Sequence, residues 1–320
     1  MVLKKVDKAA EIAIRDCMGA QEGEKILIVT DENKLEMART LYVNAQRLGY
    51  DALMVEMKSR KGNGEEPPAE IAEMMKLFQI VFCVTTKSLT HTDARRNASA
   101  AGVRVASLPG ITREVFVRGL SANYHEIAAL SIKLKGILEK GKIIRVLSRT
   151  GTNLTMKIAG RKVIASKGLF HAPGESGNLP TGETYLSPVE GSSQGTLVID
   201  GSMAGLGIMK RSVIRIVVKD GFATKITGGF EARKLIRLLS QYGPEAYNIA
   251  EFGIGTNPNA RISGVVLEDE KVMGTVHVAL GDNQSMGGSV AVPSHLDGVL
   301  RQPTFYMDEK LMMRDGVLLI

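Results

Sequence analysis

Tryptophan is absent from this chain, and aromatic residues of all kinds make up only 5% of its 320 residues. Proteins that bind single-stranded nucleic acid use exposed aromatic side chains as stacking surfaces, so this class of binding is not indicated. Cysteine is also scarce, because Cys17 and Cys83 are the only two in the sequence. Two cysteines are too few for a disulfide framework or a cysteine-rich metal site.

Long apolar runs are also missing. No stretch of about 18 apolar residues indicates a membrane span, and the lysine-containing start lacks the apolar segment of a secretory signal. The net charge is +7, but lysine and arginine are spread along the chain without a dense basic tract. We therefore expect a cytoplasmic protein with neither nucleic-acid nor membrane partners, whose basic charge suits small anionic substrates.

The pattern of apolar and polar residues changes near residue 142. Before it, short apolar runs alternate with amphipathic helical patterns, which is typical of a doubly wound parallel sheet. After it, apolar and polar residues alternate between glycine turns, as in antiparallel strands. We predict an α/β domain over residues 1–142 and an α+β, mostly antiparallel β-rich domain over residues 143–320, with the functional site in the cleft between them. The predicted helices include 34–48, 70–77, 122–140 and 231–242.

The clearest local signal for chemistry is the pair His295 and Asp297. Residues two apart on an extended segment face the same way, so this pair can present an imidazole and a carboxylate to one point. Neutral imidazole nitrogen and carboxylate oxygen are both ligands for divalent metals. Taken alone, the same spacing is more often a hydrogen-bonded surface pair.

The surroundings of three other residues strengthen the metal interpretation. His277 lies in an apolar strand pattern, where a satisfied core histidine is the usual explanation, but a glycine-rich loop follows it directly. Glu251 lies in an apolar segment, and Glu183 lies in a segment with few charges. Burial of an unpaired carboxylate costs several kcal/mol, so these glutamates require a cation or strong hydrogen-bond donors.

A second group of polar residues follows the predicted strand 80–86. His91, Arg95 and Arg96 would lie at the carboxyl edge of the parallel sheet, where open α/β sheets bind ligands. Across the cleft, the arginines could hold a substrate carboxylate and His91 could act as an acid–base partner. A helix start with solvated arginines explains the pattern equally well.

Four segments of the second half form an ordered set: NLPTGETYLSP (178–188), AEFGIGTNP (250–258), GTVHVALG (274–281) and SHLDGVL (294–300). Taken in this order, they resemble the C-terminal domain of the aminopeptidase T group of metallopeptidases. They are equally similar to 2,5-dihydroxypyridine 5,6-dioxygenases, which are non-haem iron enzymes. The resemblance extends over nearly the whole chain, and the ordered set is more specific than any single motif.

The resemblance implies a set of metal ligands. In the peptidases, two divalent ions are held by two glutamates, two histidines, an aspartate and a tyrosine. The tyrosine has no counterpart here, because Asn283 or Gln284 stands about where it would be. We therefore expect at most one tightly held metal ion and poor aminopeptidase turnover. The five implied ligands are Glu183, Glu251, His277, His295 and Asp297.

The main expectation is a metal-dependent hydrolase that removes N-terminal amino acids from short peptides with metal-activated water. Glu183 or Glu251 would then ligate metal or act as the general base. One or two ions of zinc, cobalt or iron(II) would be the cofactor. The resemblance also implies a homodimer.

Two other functions remain open. The alternative is a mononuclear iron(II) ring-cleaving dioxygenase, with His277 or His295 and Asp297 or a glutamate forming a 2-His-1-carboxylate face. The sequence of residues 281–304 resembles the dioxygenases more closely than the peptidases. The third is a member that keeps the fold but is inactive, and serves as a binding protein or scaffold.

Overall fold

The structure, a computed structural model, describes residues 4–210 and 212–320. The α-helices in these ranges are α1 Lys5–Ile12, α2 Leu35–Arg47, α3 Ala69–Met75, α4 Asp93–Ala100, α5 Arg113–Leu120, α6 Tyr124–Leu138, α7 Gly229–Leu239 and α8 Val266–Asp269. The first ten strands are β1 Lys25–Asp31, β2 Asp51–Met57, β3 Ile80–Val84, β4 Arg104–Ser107, β5 Ile143–Leu147, β6 Asn153–Lys157, β7 Val163–Ser166, β8 Ser176–Asn178, β9 Glu183–Leu186 and β10 Gln194–Ile199. The others are β11 Ser202–Met203, β12 Gly207–Ile208, β13 Ile214–Lys219, β14 Phe222–Thr227, β15 Ile249–Gly255, β16 Val276–Gly281, β17 His295–Leu300, β18 Thr304–Met307, β19 Lys310–Arg314 and β20 Val317–Leu318.

The first compact unit consists of Met1–Ala128 and Lys167–Thr181. Its parallel sheet has the strand order β2-β1-β3-β4-β8. Strand β3 is wholly apolar and buried, and β1 is buried from Ile26 onward with the apolar run Ile26, Leu27, Ile28 and Val29, as expected for parallel strands that helices cover on both faces. The predicted α/β class of this part of the chain is confirmed.

The second unit consists of Ala129–Ser166 and Gly182–Ile320. It contains an eight-stranded sheet, β14-β13-β10-β6-β5-β18-β19-β20, and a seven-stranded sheet, β12-β11-β17-β16-β15-β9-β7. Side chains from both sheets form one apolar core, in which Phe252 and Phe305 pack edge to face at 5.7 Å between ring centroids. The predicted β-rich class of the second half is therefore also confirmed.

The segment 167–181 belongs to the first unit although residues on either side of it belong to the second. It contributes β8, which lies parallel to β4 and extends the first sheet. Hydrogen bonds from Val105 N to Glu175 O (3.0 Å) and from Leu179 N to Ser107 O (2.9 Å) hold it there. A three-residue strand is too short to show a hydrophobic pattern, so a single predicted boundary at residue 142 does not anticipate this return of the chain.

Hydrophobic periodicity located the long helices well. Helices α2, α3, α6 and α7 lie within a few residues of their predicted ranges. Helix α4 begins after Thr92, whose hydroxyl accepts a hydrogen bond from Arg95 N (3.2 Å). The segment of His91, Arg95 and Arg96 therefore does contain a helix start, which was the alternative to a ligand-binding role. No helix in the described ranges is long and apolar enough to cross a membrane.

Candidate metal centre

The ligands implied by the resemblance lie on one face of the seven-stranded sheet. Glu251 on β15 is paired in register with Ala279 on β16, which is paired with Asp297 on β17. Alternate residues of a strand point to opposite faces, so neighbours such as Phe252 and Val278 enter the apolar core. The same alternation that builds the core therefore gathers the polar side chains on the other face.

A glycine makes room for the imidazole of His277. Gly253 is paired with His277 across the sheet, and a Cβ atom at Gly253 would lie 2.0 Å from His277 Nε2. No side chain larger than hydrogen fits at that distance. Glycine is therefore required here for close approach of the ring, although glycine weakens a strand interior.

Three side chains form a group with the chemistry of a metal site. Glu251, His295 and Asp297 each offer one ligand atom, and these atoms lie within 4.8 Å of one another. His295 Nε2 is 3.2 Å from Glu251 Oε2 and 3.6 Å from Asp297 Oδ1. Asp297 Oδ1 is buried without a hydrogen-bond partner, which is costly unless a cation or another group satisfies it. The donor set and this unsatisfied oxygen both fit a divalent metal ion.

The orientation of His295 is fixed by the main chain. Its Nδ1 is 2.8 Å from the carbonyl oxygen of Asp282, and a carbonyl can only accept, so Nδ1 carries the proton. In the neutral ring the lone pair is then on Nε2, the atom that faces Glu251 and Asp297. A backbone carbonyl that sets the tautomer in this way is typical of metal-ligating histidines.

His277 and Glu183 extend the group along the same face. His277 Nε2 donates to Glu251 Oε1 (3.0 Å) and lies 3.5 Å from Glu183 Oε2. His277 is fully buried, and Glu183 is only 6% exposed. Glu251 thus presents Oε1 to His277 and Oε2 to His295, so a single carboxylate faces both imidazole rings.

A buried lysine, Lys271, completes the group, and sequence reasoning did not identify it. Lys271 is 2% exposed, and its ammonium donates to Glu183 Oε1 (2.6 Å) and to Glu270 Oε1. Glu270 and Lys271 come from the charged run 268–271, a pattern typical of a solvated turn. The signal that could have found Lys271 is the need of Glu183 for a counter-charge.

The close charges shift the pKa values of the group. Burial alone would raise the pKa of Asp297, but His295 holds it well below its ordinary value. Burial would lower the pKa of His277, whereas its hydrogen bond to Glu251 and the nearby carboxylates raise that pKa to about 9. For Lys271, burial is likewise outweighed by Glu183 and Glu270, which raise its pKa above the ordinary value. Without a metal, protonated side chains therefore balance the buried carboxylates.

The residues expected near the missing tyrosine are directed elsewhere. Asn283 is fully buried, and its amide donates to Ser187 Oγ and Glu190 Oε1, both at 2.9 Å. Its Oδ1 accepts from Val290 N (2.9 Å), which closes the loop on itself. Gln284 is exposed. Asn283 therefore anchors a loop and does not supply a ligand in place of the tyrosine.

His91, Arg95 and Arg96 belong to the first unit. Arg95 Nε donates to Thr90 O (2.7 Å), while Arg96 contacts Asp93 Oδ1 (2.6 Å) and His91 O (2.7 Å). Their participation in substrate binding and acid–base chemistry stays a prediction, as does the expected location of the site between two domains. All five implied metal ligands lie in the second unit.

Comparison with known proteins identifies the fold first. It is an AmpT-like fold: the wild-type AmpT structure from Thermus thermophilus matches with a TM-score of 0.68 and 16% identity, over 99% of each chain. Within this fold class, the chain belongs to the 2,5-dihydroxypyridine 5,6-dioxygenase (NicX) family, whose profile matches residues 9–320.

Individual relatives point the same way. The structure of 2,5-dihydroxypyridine dioxygenase from Pseudomonas putida KT2440 matches with a TM-score of 0.84 and 20% identity, over 99% of this chain and 98% of that one. A 2,5-dihydroxypyridine 5,6-dioxygenase from Pseudomonas putida is 27% identical over 245 residues, which are 73% of this chain and 69% of the relative. The resemblance to both groups, found in the sequence, is confirmed.

The main functional expectation, an aminopeptidase-like hydrolase, is wrong. The family match over residues 9–320 and the 27% identical relative both indicate a dioxygenase, and likeness to AmpT at 16% identity shows only a shared fold. The alternative drawn from the sequence is the better supported one. That the chain is an enzyme is consistent with its family, which lends no support to an inactive scaffold.

Proposed function

We propose that this enzyme is a mononuclear non-haem iron(II) dioxygenase that cleaves a dihydroxylated aromatic ring. The observation that carries the proposal is the group formed by Glu251, His295 and Asp297, whose ligand atoms lie within 4.8 Å of one another. This set has one imidazole and two carboxylates, not the 2-His-1-carboxylate face expected from the sequence, because His277 is hydrogen-bonded to Glu251. Three protein ligands still leave coordination positions for oxygen and a chelating substrate. A hydroxylated pyridine is the proposed substrate class, because the family and the 27% identical relative are both named 2,5-dihydroxypyridine 5,6-dioxygenase.

The ion, when bound, would supply the redox chemistry by which O₂ reacts with the ring. The protein supplies position and charge. His295 is held by Asp282 O so that Nε2 faces the ion, while His277 holds Glu251 through Oε1. Both oxygen atoms of O₂ enter the opened ring, so the reaction requires no separate reductant.

Substrate binding and proton transfer are the roles proposed for residues of the first unit. In the proposal, Arg95 and Arg96 bind the anionic form of the substrate, and His91 exchanges a proton with its hydroxyl group. Arginine is suited to hold a phenolate or carboxylate through paired N–H groups, and histidine titrates near neutral pH. The homodimer and the cytoplasmic location also stay predictions.

The test is oxygen uptake by protein that has been loaded anaerobically with iron(II). With 2,5-dihydroxypyridine we expect one O₂ consumed for each ring lost from the absorbance spectrum, and no uptake by the same protein loaded with zinc. Iron-loaded protein that consumes no oxygen with any dihydroxylated pyridine or benzene would overturn the proposal. Metal analysis of the same sample shows whether such a failure lies in the ion or in the chemistry.

A further inference from the structure

Two sets of ligand-type atoms meet at Glu251. Its Oε2 faces His295 Nε2 (3.2 Å), and Asp297 completes this first set. Its Oε1 accepts from His277 Nε2 (3.0 Å), and Glu183 Oε2 lies 3.5 Å from the same nitrogen in the second set. A carboxylate shared by two sets of ligands is an arrangement that can hold a pair of metal ions. The second set therefore decides how many ions this centre holds.

The second set already contains a cation. Lys271 Nζ donates to Glu183 Oε1 at 2.6 Å, and its side chain is 2% exposed. Glu270 accepts from the same ammonium, so both carboxylates have a hydrogen-bond donor that is covalently part of the protein. Glu183 Oε2 is left buried without a hydrogen bond. Within the described ranges, the first set is the one group of three ligand atoms close enough to hold an ion.

The position of Lys271 is fixed by the loop that carries it. Its carbonyl oxygen accepts from Asn257 N (2.9 Å), and its own N–H donates to Glu268 O (2.9 Å). The main chain of Lys271 and Val272 lies so close to β15 that a Cβ atom at Gly255 would be 2.1 Å from Val272 O. These contacts fix the main chain of Lys271, and the hydrogen bonds to Glu183 and Glu270 hold its buried ammonium beside Glu183.

We propose that the ammonium of Lys271 is a permanent cation of the centre, which takes the place of a second metal ion beside Glu183 and limits the centre to one ion. The inference rests on the metal centre of the proposed function, but it does not depend on ring cleavage. An ammonium and a divalent ion on the two oxygens of one buried carboxylate would repel each other in a medium of low dielectric constant. Lys271 offsets the charge of Glu183, whereas Glu251 and Asp297 together match one divalent ion.

The experiment is metal analysis combined with titration of Zn²⁺ into metal-free full-length protein. We expect one ion per chain for the wild type. In Lys271→Met, which keeps the length of the side chain but removes its charge, we expect two ions per chain and at least a tenfold gain in affinity for the second. Because Lys271→Met leaves buried carboxylates unpaired and can fail to fold, Lys271→Gln, whose amide still donates to Glu183, is the second variant. Either variant is also refolded with Zn²⁺ present before analysis.

The controls separate charge from packing. Lys271→Arg keeps a cation and should hold one ion, and the double variant Lys271→Met with Glu183→Gln removes both charges and should also hold one. Two ions in the wild type, or one ion in folded Lys271→Met or Lys271→Gln, would overturn the inference. No ion in the wild type would refute the metal centre of the proposed function as well, whereas one ion without oxygen uptake would refute only ring cleavage.

Discussion

Two regions of this chain gather titratable side chains, and they satisfy them in different ways. On the segment around α4, Arg96 forms its ion pair with Asp93 while more than half of its side chain is exposed. On the face of β15, β16 and β17, Glu251 and Asp297 are buried, and Asp297 Oδ1 has no hydrogen bond. Water can replace any partner that the surface group loses, whereas the buried group depends on its neighbours or on an ion. Unsatisfied buried charge, more than clustered charge, marks the functional region.

The largest effect is expected when a ligand of the first set, Glu251, His295 and Asp297, is removed from the buried region. Asp297→Asn removes a negative charge while it preserves the shape of the side chain. We expect metal affinity to fall by more than about 100-fold, which is the upper end for residues that only orient ligands. Oxygen uptake should fall in parallel. The measurements are metal titration and the oxygen electrode.

The matched control is Glu245→Gln, which makes the same chemical change at an exposed position of the same unit. It should leave metal affinity unchanged. Asp297→Asn that binds iron as tightly as the wild type would show that this carboxylate is not a ligand.

How far the sequence predicts the centre depends on the kind of signal. His277 and Glu251 could be found because each interrupts an apolar pattern, and such an interruption requires a physical reason. His295 and Asp297 could be found because their spacing places both on one face of an extended segment. Lys271 could not, because its run of charged neighbours resembles a solvated turn until the fold places it against Glu183. The strand alternation predicts which residues share a face, but not which loop covers that face.

The next variant tests whether stability and metal affinity depend on the space beside the His277 ring. Gly253→Ala places a Cβ atom 2.0 Å from His277 Nε2, so the ring must move and its hydrogen bond to Glu251 must break. Overpacking of this kind costs about 1–3 kcal/mol of unfolding free energy. Metal affinity should fall by about 10- to 100-fold, as for other residues that orient a ligand. Denaturant unfolding and metal titration measure the two effects.

Gly136→Ala is the matched control, because this glycine lies in α6 with no atom near the added Cβ. Alanine there should raise stability by up to about 1 kcal/mol through helix propensity. Equal stability changes of the same sign at both glycines would contradict the close approach at His277.

A smaller effect is expected from the loop that carries Asp282. Asn283→Ala removes the amide that bonds to Ser187 and Glu190, and loss of a buried hydrogen-bond partner costs about 1–3 kcal/mol. Because His295 is oriented by Asp282 O, metal affinity should fall as well, by less than about tenfold. Hydrogen exchange of the loop amides should rise. Gln284→Ala, at the exposed neighbour, should change stability by no more than about 0.5 kcal/mol.

The smallest effect belongs to the exposed region of the comparison. Arg96→Ala removes the ion pair with Asp93 and the hydrogen bond to His91 O. Exposed ion pairs contribute about 0–1 kcal/mol, so the free energy of unfolding should change by less than about 1 kcal/mol, with metal affinity unaltered. If Arg96 binds the substrate as predicted, KM for the dihydroxylated ring rises while the iron content stays constant. An unchanged KM would leave Arg96 as a solvated residue at a helix start, and the polar cluster around α4 would then differ from the metal centre in function as well as in burial.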